Sequence, residues 1–245
     1  MNDIVIIGAG GFGREVQWLI ERINESWKNK TGEIFWNILG YIDDGIAAGT
    51  NINGYKVLGN CDFLVERAIP LAVTCAVGTS KTRRKIIEKI RRNKNLLFPN
   101  LIDPSAKMSE HIALGIGNII CADNILTVNI RIADFCIVNL DCTVGHDARL
   151  SSFVTLYPSV NVSGNTYFGE CVELGTGTQI IQGKSVGAGT IVGAGAVVIH
   201  DLPDECTAVG SPCKPIKYHN FRQSGGYCPV DVQTIRSAQQ LRRSA

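Results

Sequence analysis

The chain has 245 residues, of which 45% are hydrophobic and 19% are charged. This length accommodates one large domain or two ordinary ones, and the composition excludes a disordered chain. The formal net charge of +2 gives no electrostatic footprint for nucleic-acid binding. The first residues lack the pattern of a signal peptide, and no window has the apolar length of a membrane span. We therefore expect a cytoplasmic protein.

The first 100 residues show strands alternating with helices, which favours a small parallel α/β sheet. Residues 4–7 predict a strand, and a helix with an apolar stripe (Val16, Leu19, Ile20) begins after residue 13. Further strands are predicted over residues 38–42 and 71–77, and a basic helix over residues 81–92. We interpret the charged residues of this last helix as a solvated face.

A glycine loop separates the first strand from the first helix. Its residues Gly8, Gly10 and Gly13 match G-x-G-x-x-G, the pattern that brings phosphates to a helix N-terminus. A tight turn without a ligand would use the same residues. The acidic pair Asp43–Asp44 follows Gly13 by thirty residues rather than about twenty, which strains an NAD interpretation. A mononucleotide diphosphate fits this half-sized unit better.

A strict period of six governs the next hundred residues. Every sixth position is apolar, seventeen times in succession: Ile102, Met108, Leu114, Ile120, Leu126, Ile132, Val138, Val144, Leu150, Leu156, Val162, Phe168, Leu174, Ile180, Val186, Val192 and Val198. A helix of period 3.6 and a strand of period two are both excluded. The pattern predicts a three-sided β-solenoid of about five and a half coils. Glycines after the inward residues are expected to form corners of unusual φ and ψ. The repeat is expected to end at residues 200–203, where Pro203 interrupts strand pairing.

His146 lies two residues after the inward Val144, where a side chain points outward from a corner. Histidine ordinarily titrates near neutrality and suits general base catalysis. One coil is eighteen residues, so Gly164 lies directly above His146, and we expect an open groove there.

The nine cysteines are scattered without a Cys-x-x-Cys pair, which indicates buried thiols in a reducing compartment. The four histidines lack the spacing of a zinc site, so no metal is expected.

The whole chain resembles the sugar O- and N-acyltransferase family of the hexapeptide-repeat superfamily, which includes sialic acid O-acetyltransferases and nucleotide-4-amino-sugar N-acetyltransferases. The residues that carry the resemblance are residues 8–15, 40–44, 77–78 with 83–85, 103–106, 186–198 and 209–215. The resemblance implies an α/β N-terminal domain (1–100, nucleotide-sugar-binding) followed by a left-handed parallel β-helix (101–217). Residues 218–245 form an extension to which no role is assigned.

The resemblance also assigns roles to residues. It implies His146 as the general base, with Asp147 orienting it and Asn139 steadying the acceptor. It places the nucleotide and sugar at Gly10, Gly11, Phe12, Asp43 and Asp44. Coenzyme A, carrying the acetyl group, is expected along Gly164, Thr176 and Ala194 and near Pro212 and Lys214, between the subunits of a homotrimer. The chain departs from the family's pattern at two positions. Asp103 stands where many relatives have histidine, and Thr155 stands where a relative has a second histidine.

These features favour an acetyl-CoA-dependent N-acetyltransferase acting on a nucleotide-linked amino sugar in surface glycan biosynthesis, and we expect a 4-amino-4,6-dideoxy sugar. O-acetylation of sialic acid or a similar free sugar is the first alternative. A non-catalytic nucleotide-binding solenoid is the second. An NAD-dependent oxidoreductase ranks last because it leaves the repeat unexplained. A carbonic-anhydrase-like metal enzyme would need histidines from adjacent coils, and this chain does not supply them. The acyl chain length and the nucleotide base stay open.

Overall fold

The computed structural model describes residues 2–219, in which a small α/β unit precedes a long parallel β-helix. The elements of the first unit are β1 Asn2–Ile7, α1 Gly11–Thr31, β2 Trp36–Ile42, β3 Asn51–Ile52, β4 Tyr55–Gly59, α2 Asp62–Val65, β5 Leu71–Cys75, α3 Ser80–Ile90 and β6 Leu96–Leu97. Its sheet has the order β3-β4-β2-β1-β5-β6 and is parallel apart from the β3–β4 pair.

The sequence of β1 explains its central place in this sheet. Residues 4–7 are all buried, as expected of a parallel strand that is covered on both faces. The predicted strand over residues 71–77 ends earlier, at Cys75. The carbonyl oxygens of Val77 and Gly78 accept hydrogen bonds from the Arg83 guanidinium, so this part of the chain turns away from the sheet.

From Leu101 onward the chain forms seventeen strands of two residues each. They are β7 Leu101–Ile102, β8 Lys107–Met108, β9 Ala113–Leu114, β10 Ile119–Ile120, β11 Ile125–Leu126, β12 Arg131–Ile132, β13 Ile137–Val138, β14 Thr143–Val144, β15 Arg149–Leu150, β16 Thr155–Leu156, β17 Asn161–Val162, β18 Tyr167–Phe168, β19 Glu173–Leu174, β20 Gln179–Ile180, β21 Ser185–Val186, β22 Ile191–Val192 and β23 Val197–Val198. The seventeen predicted inward residues are the second residues of these strands and share one core. The period of six is confirmed.

Each strand pairs in parallel with the strand eighteen residues later, as Val144 does with Val162. Three faces result, which we call the docking face (β7, β10, β13, β16, β19, β22), the second face (β8, β11, β14, β17, β20, β23) and the third face (β9, β12, β15, β18, β21). The first corner joins the docking and second faces. The second corner joins the second and third faces, and the third corner returns to the docking face.

The glycines after the inward residues do not have the role predicted for them. The left-handed backbone lies two residues further on, at Asp147 (φ 60°) and Asn165 (φ 54°), for example. Gly145 itself has ordinary backbone angles, but a β-carbon there would lie 2.7 Å from the amide nitrogen of Gly164. Glycine at this position therefore allows two successive coils to approach closely, rather than a special turn.

The predicted end of the β-helix at residues 200–203 is wrong. Leu202 still bridges to Val186, and β24 (Cys206–Val209) adds another parallel strand to β22. Closure comes when β25 (Lys214–Tyr218) folds back antiparallel on β24. Pro203 is tolerated because it lies in a corner, where the strands need no amide donor from it.

The α/β unit packs on the docking face. Ile119 and Ile137, which point outward from that face, share a core with Ile4 and Ile6 of β1 and Leu19 of α1. An ion pair adds to this contact: both Nε and Nη2 of Arg22 donate to the carboxylate of Asp103, at 2.7 and 2.9 Å. Burial opposes ionisation of Asp103, but the hydrogen bonds from Arg22 and Ser105 outweigh it and lower the pKa of Asp103.

The interpretation of the basic helix as a solvated face is wrong for Arg83. This side chain is 1% exposed because it lies between α3 and the β-helix. Its Nε and Nη2 donate to the carbonyl oxygens of Phe135 and Phe153, and Nη2 also reaches the hydroxyl of Thr155. With the bonds to residues 77 and 78, all five N–H groups of the guanidinium have partners. Arg83 therefore fastens the carboxyl end of β5 to the β-helix.

A buried glutamate completes this interdomain contact. Glu173 points outward from the docking face, and its Oε1 accepts hydrogen bonds from the amide and hydroxyl of Ser80, both at 2.8 Å. Its Oε2 accepts one from the hydroxyl of Tyr157. A carboxylate at the N-terminus of α3 is stabilised by the free amides and the helix dipole.

Within residues 2–219, no helix combines the length and apolar character that crossing a bilayer requires.

Candidate active site

His146 and Asp147 form a dyad on the second corner of the β-helix. The two side chains are each 51% exposed, and Nδ1 of His146 lies 2.8 Å from Oδ2 of Asp147. A proton on Nδ1 that is held by the carboxylate leaves Nε2 free to accept another proton. Asp147 has φ 60°, a conformation that aspartate tolerates well, and this bend turns its carboxylate back toward the preceding residue.

Gly164 determines where the imidazole lies. A β-carbon on Gly164 would be 2.4 Å from Nε2 and 2.5 Å from Cε1 of His146. The ring therefore lies across the backbone of the coil above, in the space that the sequence suggested would be an open groove. Gly164 permits this position, and the His146 side chain stays half-exposed.

The other residue expected near the base, Asn139, lies on the first corner rather than the second. Its side chain is buried, and its Oδ1 accepts a hydrogen bond from the amide of Leu140 at 2.7 Å. Within one chain the second face separates Asn139 from His146. Thr155, at the position of a relative's second histidine, lies on the docking face and bonds to Arg83 and to the carbonyl oxygen of Gly78.

The residues expected to bind coenzyme A are divided between two corners. Gly164 lies on the second corner, whereas Thr176 and Ala194 are exposed on the first, one coil apart. Gly210 and its neighbours lie beyond them: the amide of Val197 donates to the carbonyl oxygen of Gly210, and the amide of Cys213 donates to the carbonyl oxygen of Val197. Pro212 is therefore exposed at the end of the second face, and Lys214 is exposed at the start of β25, beside β24.

Two of the loop glycines serve the packing of the α/β unit. Gly8 has φ 93°, and a β-carbon on Gly13 would lie 1.9 Å from the carbonyl oxygen of Gly8. Gly10 and Gly11 are exposed at the start of α1, where unpaired amides and the helix dipole attract an anion. Phe12 is half-buried beside them. The loop can therefore bind a phosphate through Gly10 and Gly11, while Gly8 and Gly13 shape it.

The acidic pair at the end of β2 is already engaged by the backbone. Asp43 accepts hydrogen bonds from the amides of Ala9 and Gly45, and Asp44 accepts one from the amide of Cys61, all between 2.8 and 2.9 Å. Asp43 therefore joins the glycine loop to the end of β2. Asp44 is exposed and keeps one oxygen for a ligand.

The eight cysteines of the described region are all buried and free, and burial raises the pKa of Cys136 to about 12. No three His, Cys, Asp or Glu side chains between residues 2 and 219 are grouped so as to hold a metal ion.

The sequence interpretation missed Arg83 as a functional contact. The available signal was its spacing to Ile87 and Ile90, which are buried on the same side of α3. From residue 220 the expected extension lies outside the described residues.

Comparisons with known proteins agree over most of the chain. Residues 3–90 match the family described as the PglD N-terminal domain. GDP-perosamine N-acetyltransferase of Escherichia coli O157:H7 is 30% identical over 223 residues, covering 89% of this chain and 97% of that protein. The solved acetyltransferase domain of PglB from Neisseria gonorrhoeae is 33% identical, with a TM-score of 0.79 over 88% of this chain and 100% of that one.

Two further solved structures carry ligands. The PglB domain in complex with acetyl coenzyme A is 34% identical, with a TM-score of 0.78, and covers 88% of this chain and all of that one. PerB from Caulobacter crescentus, solved with CoA and GDP-perosamine, is 32% identical, with a TM-score of 0.75 over 89% of this chain and 98% of that one. These likenesses confirm the predicted fold class, an α/β unit followed by a left-handed parallel β-helix. The chain belongs to the nucleotide-amino-sugar acetyltransferases of the hexapeptide-repeat superfamily.

Proposed function

We propose that this enzyme transfers the acetyl group of acetyl-CoA to the amine of a nucleotide-linked amino sugar, with His146 as the general base. One observation carries the proposal: an outward histidine is held by an adjacent carboxylate, Asp147, at 2.8 Å. The relatives that match most of the chain bear names or ligands of this reaction, including acetyl coenzyme A and GDP-perosamine.

The reaction needs one proton to move as the new bond forms. The amine nitrogen attacks the thioester carbonyl carbon, and Nε2 of His146 takes the proton that the nitrogen loses. Asp147 stabilises the imidazolium through Nδ1. The carbon–sulfur bond then breaks, and the thiolate of coenzyme A takes a proton to leave as the thiol. No step requires a second histidine, which is consistent with threonine at position 155.

The division of the site between two corners supports a homotrimer. His146 lies on the second corner, and the exposed residues Thr176 and Ala194 lie on the first. A groove that holds the thioester against the base then joins the first corner of one subunit to the second corner of its neighbour. Asn139, which shares the first corner with Thr176, would reach the acceptor in the same way. Sedimentation and light scattering test this directly, since a monomer with full activity would contradict it.

The finer identity of the acceptor rests on the family. We infer a 4-amino-4,6-dideoxy sugar on a nucleoside diphosphate, bound through Gly10, Gly11, Phe12 and the free oxygen of Asp44, and a role in surface glycan biosynthesis. Asp43 contributes by holding the glycine loop to β2. The donor's nucleotide end extends toward Pro212 and Lys214.

Thiol release from acetyl-CoA, measured with UDP-, dTDP- and GDP-linked amino sugars, tests the proposal. We expect turnover with at least one of them and a loss of roughly 10²- to 10⁴-fold in kcat for His146→Ala. His111→Ala is the matched control, because His111 is exposed on a lower coil of the same corner. Turnover with sialic acid alone would establish the O-acetyltransferase instead, and CoA binding without thiol release would establish a binding module.

A further inference from the structure

The carboxyl ends of β1 and β5 lie side by side at one edge of the α/β sheet, which we call the β1–β5 edge. β1 connects through α1 to β2 on one side of it, whereas β5 lies on its other side. Ligands of open parallel sheets bind where the strand order reverses in this way. The segment after β5 contacts the glycine loop, since a β-carbon on Gly8 would be 2.9 Å from the carbonyl oxygen of Ala76. A ligand whose phosphates lie on the glycine loop is therefore next to residues 76–78.

The first corner of the β-helix reaches this edge through Tyr157. A β-carbon on Gly78 would be 3.6 Å from the hydroxyl oxygen of Tyr157 and 3.7 Å from its Cε1. Gly78 is fixed there because its carbonyl oxygen accepts hydrogen bonds from Thr155 and Arg83, both at 2.9 Å. Tyr157 lies one coil above Asn139 on the same corner, as the register of β13 and β16 requires. Tyr157 therefore adjoins both the β1–β5 edge and the residue expected to steady the acceptor.

The proton of the Tyr157 hydroxyl is already engaged. It is donated to Oε2 of Glu173 at 3.2 Å. Burial, followed by the Glu173 carboxylate, raises the pKa of Tyr157 to about 12, so the phenol is neutral at neutral pH. Its oxygen keeps lone pairs that accept a further hydrogen bond. The side chain is half-buried, and glycine at position 78 places no side chain over the hydroxyl.

We propose that the Tyr157 hydroxyl accepts a hydrogen bond from a hydroxyl group of the acceptor sugar and so orients the sugar between the glycine loop and Asn139. This inference rests on the proposed function and leaves the nucleoside diphosphate on the glycine loop. Asp44 follows β2, on the side of β1 opposite to β5. With the nucleoside toward Asp44, the sugar extends from the phosphates toward β5 and meets Tyr157.

Ser80 provides a matched control, because it binds the other oxygen of the same carboxylate. Its hydroxyl donates to Oε1 of Glu173 at 2.8 Å, but the residue is 1% exposed and is out of reach of a ligand. Tyr157→Phe and Ser80→Ala each remove one hydrogen bond to Glu173. Only Tyr157→Phe also removes a group from the β1–β5 edge.

Steady-state kinetics with the full-length enzyme test the inference. For Tyr157→Phe we expect the KM for the nucleotide amino sugar to rise about three- to tenfold, as for the loss of one neutral hydrogen bond. The kcat and the KM for acetyl-CoA should each stay within about twofold, since the lost contact is made before the transition state as well as in it. Ser80→Ala should leave all three values within about twofold. An unchanged acceptor KM in Tyr157→Phe, or an equal rise in Ser80→Ala, would overturn the inference.

A binding experiment separates this inference from the proposed function. Calorimetric titration with UDP-, dTDP- and GDP-linked 4-amino sugars, and with free UDP, dTDP and GDP, requires no turnover. Tyr157→Phe should bind the sugar-bearing ligand about three- to tenfold more weakly than the wild type, and the matching free diphosphate equally well. If the wild type acetylates none of these sugars, the proposed function fails, but that difference would still support the contact. Equal losses for both kinds of ligand, or no loss for either, contradict the contact whatever the reaction is.

Discussion

The backbone of Gly164 lies directly against the imidazole of His146, so that a β-carbon at residue 164 would be 2.4 Å from Nε2. Gly164→Ala should therefore displace the ring from Asp147 and from the acceptor. We expect kcat to fall about 10- to 100-fold, the size of effect that a small misplacement of a catalytic group produces. Ser163→Ala, on the same corner, is the control and should keep normal turnover. A Gly164→Ala enzyme with wild-type kcat would show that the ring position is not important.

The proposed role of Asp147 in orienting His146 is tested by Asp147→Asn, which should not disturb the fold. Asparagine tolerates the left-handed backbone of residue 147, and it keeps the size of the side chain. It cannot stabilise an imidazolium by charge, so kcat should fall about tenfold or more. Circular dichroism and the melting temperature should match those of the wild type. Asp141→Asn, at an equivalent left-handed position on the first corner, should leave kcat unchanged.

Arg83 joins the two units through buried hydrogen bonds, so its loss should reduce the free energy of unfolding. Arg83→Met leaves several buried carbonyl groups without donors, and we expect roughly 3 kcal/mol or more of destabilisation. Urea unfolding at neutral pH measures it. Lys85→Met removes an exposed charge from the same helix and should change stability by about 0.5 kcal/mol or less. Equal stability of the two variants would contradict the role assigned to Arg83.

The Arg22–Asp103 ion pair predicts a dependence of stability on pH. The pKa of Asp103 is lowered in the folded protein, so the pair stabilises the fold above the unfolded pKa of about 3.9. That contribution disappears as the pH falls through the lower, folded pKa. Unfolding free energies at pH 3 and pH 7 should therefore differ more for the wild type than for Asp103→Asn. An identical pH dependence would show that the pair does not stabilise the fold.

Burial protects the thiols of the described region from modification. Burial raises the pKa values of Cys75, Cys121 and Cys142 to about 12, and the thiolate is the reactive form. In a Cys228→Ser background we expect no fast reaction with a thiol reagent at pH 8 in the native protein. Eight thiols should react once the chain is unfolded in guanidinium. A fast-reacting thiol in the native state would contradict the buried positions.

The sequence by itself determined the β-helix, because an apolar residue at every sixth position can be buried on one side only by a coil of three short strands. It also determined that His146 points outward, since its offset from Val144 fixes its place on the corner. The same period indicated which residues stack, including Gly164 above His146. Local glycine and apolar patterns identified the parallel α/β unit in the same way.

The tertiary structure alone decided how these parts meet. Arg83 is buried because α3 docks on the β-helix. The local sequence of neither segment predicts that contact. The closure by β24 and β25 depended on a corner that accommodates Pro203. The separation of Asn139 and Thr176 from His146 by one face followed from the corner to which each belongs. Periodicity specifies which residues point inward, but contacts between distant segments arise from surfaces that exist only after both have folded.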